Sequence, residues 1–479
     1  MSPPPYAEEF IHFIDQATTV YHAVDWAQDE LESKGYSRLK EDDDWPSILK
    51  PGGKYYVTRN ATSIIAFAIG KQFISGGPLA MIGSHIDALT LKVKPVSLSE
   101  KGGYERLAIA PYSGGGPSQS FDGSYSTWWD RDLGLAGRVL VQAKNGNVEQ
   151  KLVQFPTPIA RIPSLAVHFG APARGPFNWE TNFIPVVGLA KPGDSVLSQD
   201  SGSVYGPVKD RHSARLLKAI SREIGVPVSS IVDFDLELYD FQSATTLGLS
   251  DEFISAPRLD DKLCSFSALK ALTNLSDSFL DQSSAVHLVG LFDNEEIGSG
   301  LRQGAKSNFI QTVIERLIDA QVGVKEADKS PFTSNLIGQS LASSFLISAD
   351  VTHAFNPNFP GVYLPGASPE LNKGVVIKAE PNGRSTTTST GKVLLSLVAE
   401  ASQSELQLFH IRNDGRSGGT IGPMVSERLG CPTIDVGIPQ LSMHSIRGIT
   451  GSADPGIGVK FFQGFFEHYE HLREKIEFN

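Results

Sequence analysis

Short, unbroken apolar runs that stop abruptly at acidic or histidine residues dominate the pattern of this chain. Ala285-Val286-His287-Leu288-Val289-Gly290-Leu291-Phe292 has the length and composition of a buried strand, and it runs straight into Asp293-Asn294-Glu295-Glu296-Ile297-Gly298-Ser299. Apolar runs of this length without alternation predict strands covered on both faces, and open α/β sheets build their sites at the carboxyl ends of such strands. Residues 79–83 predict a second strand, delivering Ser84-His85-Ile86-Asp87, and residues 345–348 a third, delivering Ala349-Asp350-Val351-Thr352-His353. Residues 434–437 predict a fourth, followed by Gln440-Leu441-Ser442-Met443-His444-Ser445. The helical spacing of Leu263, Phe266, Leu269 and Leu272 stands Asp260 near a helix start, and a further helical stretch is predicted near residues 7–34.

Glu295 and Glu296 side by side repel each other and lose solvation, a cost that a bound cation offsets. A solvated acidic turn capping the next helix is the other reading of that segment alone. In Ser84-His85-Ile86-Asp87 the histidine and the carboxylate point the same way, as where a carboxylate fixes the tautomer of a metal-binding imidazole. A lone histidine is more often a core or surface residue. Five acid or histidine endings on strand and helix termini are much harder to read as coincidence. His85, Asp260, Glu296, Asp350 and His444 offer two imidazoles and three carboxylates, a donor set suited to zinc. One zinc with open positions needs three protein ligands, so five imply two metals sharing a carboxylate, a pair about 3.5–4 Å apart that activates water. Glu295 is then left over as a candidate general base.

The segments around these residues closely resemble the aspartyl aminopeptidase and vacuolar aminopeptidase I family of di-zinc metallopeptidases. The similarity takes in Trp128-Trp129-Asp130-Arg131-Asp132-Leu133, Arg416-Ser417-Gly418-Gly419-Thr420-Ile421-Gly422-Pro423 and Val459-Lys460-Phe461-Phe462-Gln463-Gly464-Phe465-Phe466, and it covers nearly the whole chain. The resemblance implies two zinc ions per subunit, with Asp260 bridging, His85 and Asp350 on one and Glu296 and His444 on the other. It makes Glu295 the base and Asp87 the partner that orients His85. It also implies that His168 reaches a neighbouring subunit's site to help hold the oxyanion. Read alone, His168 follows a short apolar strand as a structural residue would. His353, Lys378, Gly419, Thr420 and Met443, with His168, are the implied substrate contacts.

The organisation predicts an interrupted domain, because His85 and Asp260 are separated by a Gly-, Ser- and Pro-rich segment with short β-like runs at 139–141 and 184–187. Loop signals stand at residues 113–118 and 192–202. The expected fold is α/β: a mixed-sheet di-zinc aminopeptidase catalytic domain (residues 1–94 and 248–479) with an inserted, mainly β domain (residues 95–247). The resemblance gives the insertion a role in dimerisation and implies a tetrahedral twelve-subunit homo-oligomer that admits peptides.

Composition changes the picture little. Hydrophobic content of 40% with 20% charged residues over 479 positions is ordinary for a globular chain of two or three domains. The net charge of −11, without a Lys/Arg cluster, argues against nucleic acid, and no run approaches the ~18 apolar residues of a membrane helix. Cys264 and Cys431 sit inside apolar patterns and read as buried free thiols in a reducing compartment. Met1-Ser2-Pro3-Pro4-Pro5-Tyr6 lacks a basic and an apolar signal region, so the expected location is the cytoplasm, with the vacuole as alternative.

Substrate choice stays open between two branches of the family. The wording around His85 and Asp260 resembles the aminopeptidase I branch, which favours Leu and other apolar N-terminal residues. Lys378, in Gly374-Val375-Val376-Ile377-Lys378, matches a lysine that aspartyl-type members carry in the specificity pocket, so removal of N-terminal Asp and Glu is the expected activity. A lysine after an apolar strand otherwise reads as a solvated strand end. A binding module with lost catalysis is disfavoured by the intact donor set and base. A carboxypeptidase or deacylase would need a cationic clamp that the sequence does not reveal.

Overall fold

The computed structural model describes residues 4–113, 125–190, 208, 210–415 and 418–478. Arg416 and Ser417 of the quoted motif, and the expected loops at 114–118 and 192–202, lie outside the described residues. The apolar runs form the centre of a nine-stranded mixed sheet. Its order is Ser37–Leu39, Lys54–Arg59, Ser63–Ile69, Val286–Phe292, Leu79–His85, Phe345–Ala349, Thr433–Gly437, Val375–Lys378 and Leu406–Phe409. Ser63–Ile69, Val286–Phe292, Leu79–His85, Phe345–Ala349 and Thr433–Gly437 are buried along their whole length, as strands covered on both faces must be. One covering layer includes the helices Ala7–Gln16, Val20–Ser33, Leu259–Thr273, Ser389–Ser402 and Asp454–Arg473, the last through Phe461, Phe462, Phe465 and Phe466. The other includes Phe309–Asp319 and Gly422–Leu429.

The predicted helical stretch near 7–34 is two helices, not one. Ala7–Gln16 stops before Ala17-Thr18-Thr19, and Thr19, in extended conformation, caps Val20–Ser33 by accepting a hydrogen bond from the His22 N–H. A threonine at this position favours capping over continuing the helix, because its oxygen satisfies an otherwise orphan donor.

A second sheet closes on itself. Thr90–Lys101, Tyr104–Tyr112, Val186–Leu189, Ala160–Arg161, Asp132–Gln142 and Ile231–Asp240 pair in an antiparallel ring, with Val148–Gln154 added alongside Asp132–Gln142. It has a hydrophobic core of its own, including Leu91, Leu107, Leu135, Val139 and Leu238. Among the described residues, no helix is long and apolar enough to cross a membrane.

Candidate active site

Strand register brings the acid and histidine endings together. Phe292 pairs with His85, Ser348 with Gly83 and Ala349 with Val436, all in parallel, so four carboxyl ends emerge side by side and in phase. His85 closes its strand, Asp350 follows Ala349, and Glu295 and Glu296 share the one-turn helix Glu295–Ile297. Asp260 comes from the first turn of Leu259–Thr273, where Asp260 and Asp261 are not yet helical, and His444 from a loop residue with φ 63°.

Two overlapping donor groups result. In each of His85/Asp260/Asp350 and Asp260/Glu296/His444, one ligand atom per residue lies within 4.8 Å of the others. Asp260 belongs to both: its Oδ1 is 3.0 Å from His85 Nε2 and its Oδ2 is 3.3 Å from His444 Nε2. His85 Nδ1 faces Asp87 Oδ1 at 3.2 Å, which leaves Nε2 turned toward the donor groups. Asp87 also accepts the backbone N–H of Glu295 and of Glu296, at 3.2 Å each. Glu295 Oε2 stands 3.9 Å from His85 Nε2 and belongs to neither group.

Acids and imidazoles are crowded together here out of water. Burial pulls the His85 imidazole down, but hydrogen bonds with Asp260, Asp350 and Asp87 overcome it and hold it well above its ordinary range. The Asp260 hydrogen bond raises His444 to about 9. Burial pushes Glu295 up to about 7, His85 opposing and the Asp350, Asp87 and Asp260 carboxylates adding to it. Burial and the Asp260 carboxylate likewise raise Glu296 well above its ordinary value. Acids crowded out of water in this way gain their charged form when a cation binds, and nitrogen and oxygen donors of this kind suit zinc.

A cavity of ≈ 470 Å³ opens over both groups, and Asp260, Glu295, Glu296, Asp350, His353, Lys378, Gly419, Thr420, Met443 and His444 all line it. Lys378 is no solvated strand end: its side chain is 12% exposed and its Nζ lies 3.3 Å from Asp350 Oδ2. It gets there by crossing Gly437, where a Cβ would meet Lys378 Cε at 3.0 Å and the Asp350 carbonyl oxygen at 2.3 Å. His353 is exposed, its ring 5.6 Å from that of Phe409. His168 is not among the residues lining its own chain's cavity. It sits exposed in the turn Val167–Phe169, flanked by Val167 and Phe169 at 73% and 67% exposure.

Residues that the sequence did not single out complete the surroundings. Asp261, fully buried, accepts hydrogen bonds from Ser84 Oγ at 2.6 Å and from the Val351 N–H at 3.1 Å, bracing two strand ends at once. Lys262 donates to the Ile86 carbonyl at 2.9 Å, between His85 and Asp87. Tyr112 arrives from the second sheet with its hydroxyl 3.0 Å from Asp87 Oδ2. No local pattern marks Tyr112, because its neighbours in sequence belong to the other sheet.

Comparison with known proteins identifies the family. Residues 13–466 match the family of aminopeptidase I zinc metalloproteases (M18). Vacuolar aminopeptidase 1 of Saccharomyces cerevisiae is 42% identical over 98% of this chain and 89% of its own length. The aspartyl aminopeptidase of Aspergillus oryzae is 40% identical over 98% of this chain and 97% of its own. The structure of the S. cerevisiae mApe1 dodecamer superposes with a TM-score of 0.84 at 37% identity, covering 98% of each chain.

Proposed function

The chain belongs to the aminopeptidase I zinc metalloprotease (M18) family, and from that premise we propose that it removes N-terminal Asp and Glu from peptides. The observation that carries acidic specificity is the Lys378 ammonium on the cavity wall. At about 4 Å from a substrate carboxylate it gains roughly 4 kcal/mol of gross attraction at an effective dielectric near 20. A purely apolar wall would instead leave the acid desolvated and unpaired. The similarity to a protein named aspartyl aminopeptidase supports the same direction. A second reading, preference for Leu or other apolar residues, draws on Phe409, Ile411, Met424 and Met443 in the same cavity and on the similarity to vacuolar aminopeptidase 1.

In this reading each subunit would hold two zinc ions, with His85 and Asp350 as ligands of one, Glu296 and His444 as ligands of the other, and Asp260 as a ligand of both. Bound zinc supplies a more acidic water and a polarised carbonyl. Glu295, 19% exposed at the cavity edge, takes the proton of the attacking water and returns it to the leaving amine. Asp87 holds the His85 ring through Nδ1. His353, Gly419, Thr420 and Met443 flank the bound residue. The closed sheet, apart from residues 90–94 of its first strand, lies in the inserted dimerisation domain (residues 95–247), between the two parts of the catalytic domain. His168 on its surface acts in a neighbouring subunit, within a twelve-subunit assembly of the kind named for the yeast relative. Release rates for Asp, Glu, Leu and Lys from matched aminoacyl substrates test the specificity. We expect Asp and Glu to exceed Leu at least tenfold, and Leu in the lead would transfer the argument to the second reading.

A further inference from the structure

Tyr112 ends the strand Tyr104–Tyr112 of the closed sheet, yet its side chain belongs to the catalytic side. It is 8% exposed, and its hydroxyl meets three side-chain oxygens there: Asp87 Oδ2 at 3.0 Å, Asn294 Oδ1 at 3.0 Å and Asp293 Oδ1 at 3.2 Å. The Asn294 amide orientation is fixed by its Nδ2 donating to the Gly300 carbonyl at 3.1 Å, so Oδ1 is an acceptor. One O–H proton is thus shared among three oxygens, all on the segments that carry His85's partner and the Glu295-Glu296 turn. Asp87 in turn takes four bonds: His85 Nδ1 and the Glu295 N–H on Oδ1, the Glu296 N–H and Tyr112 on Oδ2. Of these donors only Tyr112 comes from the closed sheet.

The phenol is itself held from the closed sheet. Lys92 Nζ sits 4.2 Å over its ring and pairs with Glu237 at 2.9 Å, and the Tyr112 N–H donates to Tyr125 Oη at 3.1 Å. Tyr125 Oη donates to the Thr90 carbonyl at 2.9 Å. A carboxylate that orients a ligating imidazole needs its own orientation fixed, and such outer partners typically contribute 10–100-fold to metal affinity or activity. We propose that Tyr112 is a positioning residue of the active site, tying the closed sheet to Asp87 and to the Glu295-Glu296 turn and so holding His85 in its metal-binding orientation. This rests on the reading of Asp87 as the partner of a zinc-binding His85.

The test compares full-length Tyr112→Phe with the wild type, Asp87→Asn and Val139→Ala. The phenylalanine keeps the ring and the Lys92 contact. Val139→Ala loosens the core of the same sheet without touching Asp87. Zinc affinity is measured by chelator competition, alongside kcat, KM and melting temperature. Tyr112→Phe should weaken zinc binding about 10–100-fold and lower kcat with KM little changed, while Val139→Ala lowers the melting temperature and leaves zinc affinity as in wild type. Zinc affinity and kcat within twofold of wild type in Tyr112→Phe, with Asp87→Asn impaired, overturns the proposal alone. An unimpaired Asp87→Asn overturns the reading of Asp87 and the proposal together. A zinc loss in Val139→Ala equal to that of Tyr112→Phe overturns the specific role of the hydroxyl.

Discussion

Lys378 Nζ lies 3.3 Å from Asp350 Oδ2, so the cation on the cavity wall is already shared with a carboxylate of the first donor group. Burial acts to lower the ammonium's pKa, but Asp350 and Asp435 raise it on balance, which keeps it charged at neutral pH. Substituting Lys378 therefore has two effects. Lys378→Leu should lower kcat/KM for every substrate through Asp350, and lower it for Asp substrates at least tenfold more than for Leu substrates, each tenfold being about 1.4 kcal/mol. The ratio of the two specificity constants is the measurement. An equal loss on both would remove Lys378 from the account of specificity.

Asp260 faces both histidines, one with each carboxylate oxygen. Asp260→Asn should therefore reduce bound zinc from about two per chain to less than one, whereas His444→Gln should spare the ion at His85 and Asp350. Metal content after dialysis against buffered zinc, by elemental analysis, decides it. Two equivalents retained in Asp260→Asn would refute the shared-ligand arrangement. Chelation of the wild type should abolish activity.

Glu295→Gln should retain both metals and lose about 10²–10⁴-fold in kcat, because the amide preserves shape but accepts no proton. Single-turnover rates on metal-loaded protein test this. Turnover like that of wild type would leave Glu295 as a bystander carboxylate near His85.

His168 is exposed on its own chain and absent from its own cavity lining. If it acts in a neighbour, co-expressed Glu295→Gln and His168→Phe subunits should regain activity in mixed oligomers, since some sites then hold both intact groups. Verified mixed oligomers with no recovery would count against action between subunits.

His22 links stability to pH. Burial, followed by the Arg258 charge, lowers its pKa from 6.5 to about 4, with Nδ1 2.8 Å from Thr19 Oγ1. A lowered folded-state pKa means the stabilisation is fully present above about 6.5 and is lost as pH falls toward 4, where the unfolded chain binds the extra proton first. His22→Asn should be less stable than wild type near pH 7, and the deficit should shrink by pH 4.5. Melting temperatures of both proteins across that range test the sign. A deficit constant with pH would mean His22 does not titrate differently on folding.

The sequence by itself determined the central strands, the donor types and the family. Continuous apolar runs and the residues that end them are local patterns, and burial on both faces of a sheet leaves few other readings of such runs. His85, Asp350 and the Glu295-Glu296 pair were legible because each is the direct continuation of a strand. The break at 17–19 was not, because helical periodicity resumes in phase and only the Thr19 cap marks it. Closure of the second sheet, the passage of Lys378 over Gly437 to Asp350, the bracing by Asp261 and the arrival of Tyr112 at Asp87 were decided by tertiary structure alone. Each joins residues 25 to 177 positions apart, or depends on a register that pairs Ile377 with Val436 and Leu238 with Leu135. Such contacts arise from how whole strands pair and how two sheets meet, and no periodicity within a ten-residue window encodes them.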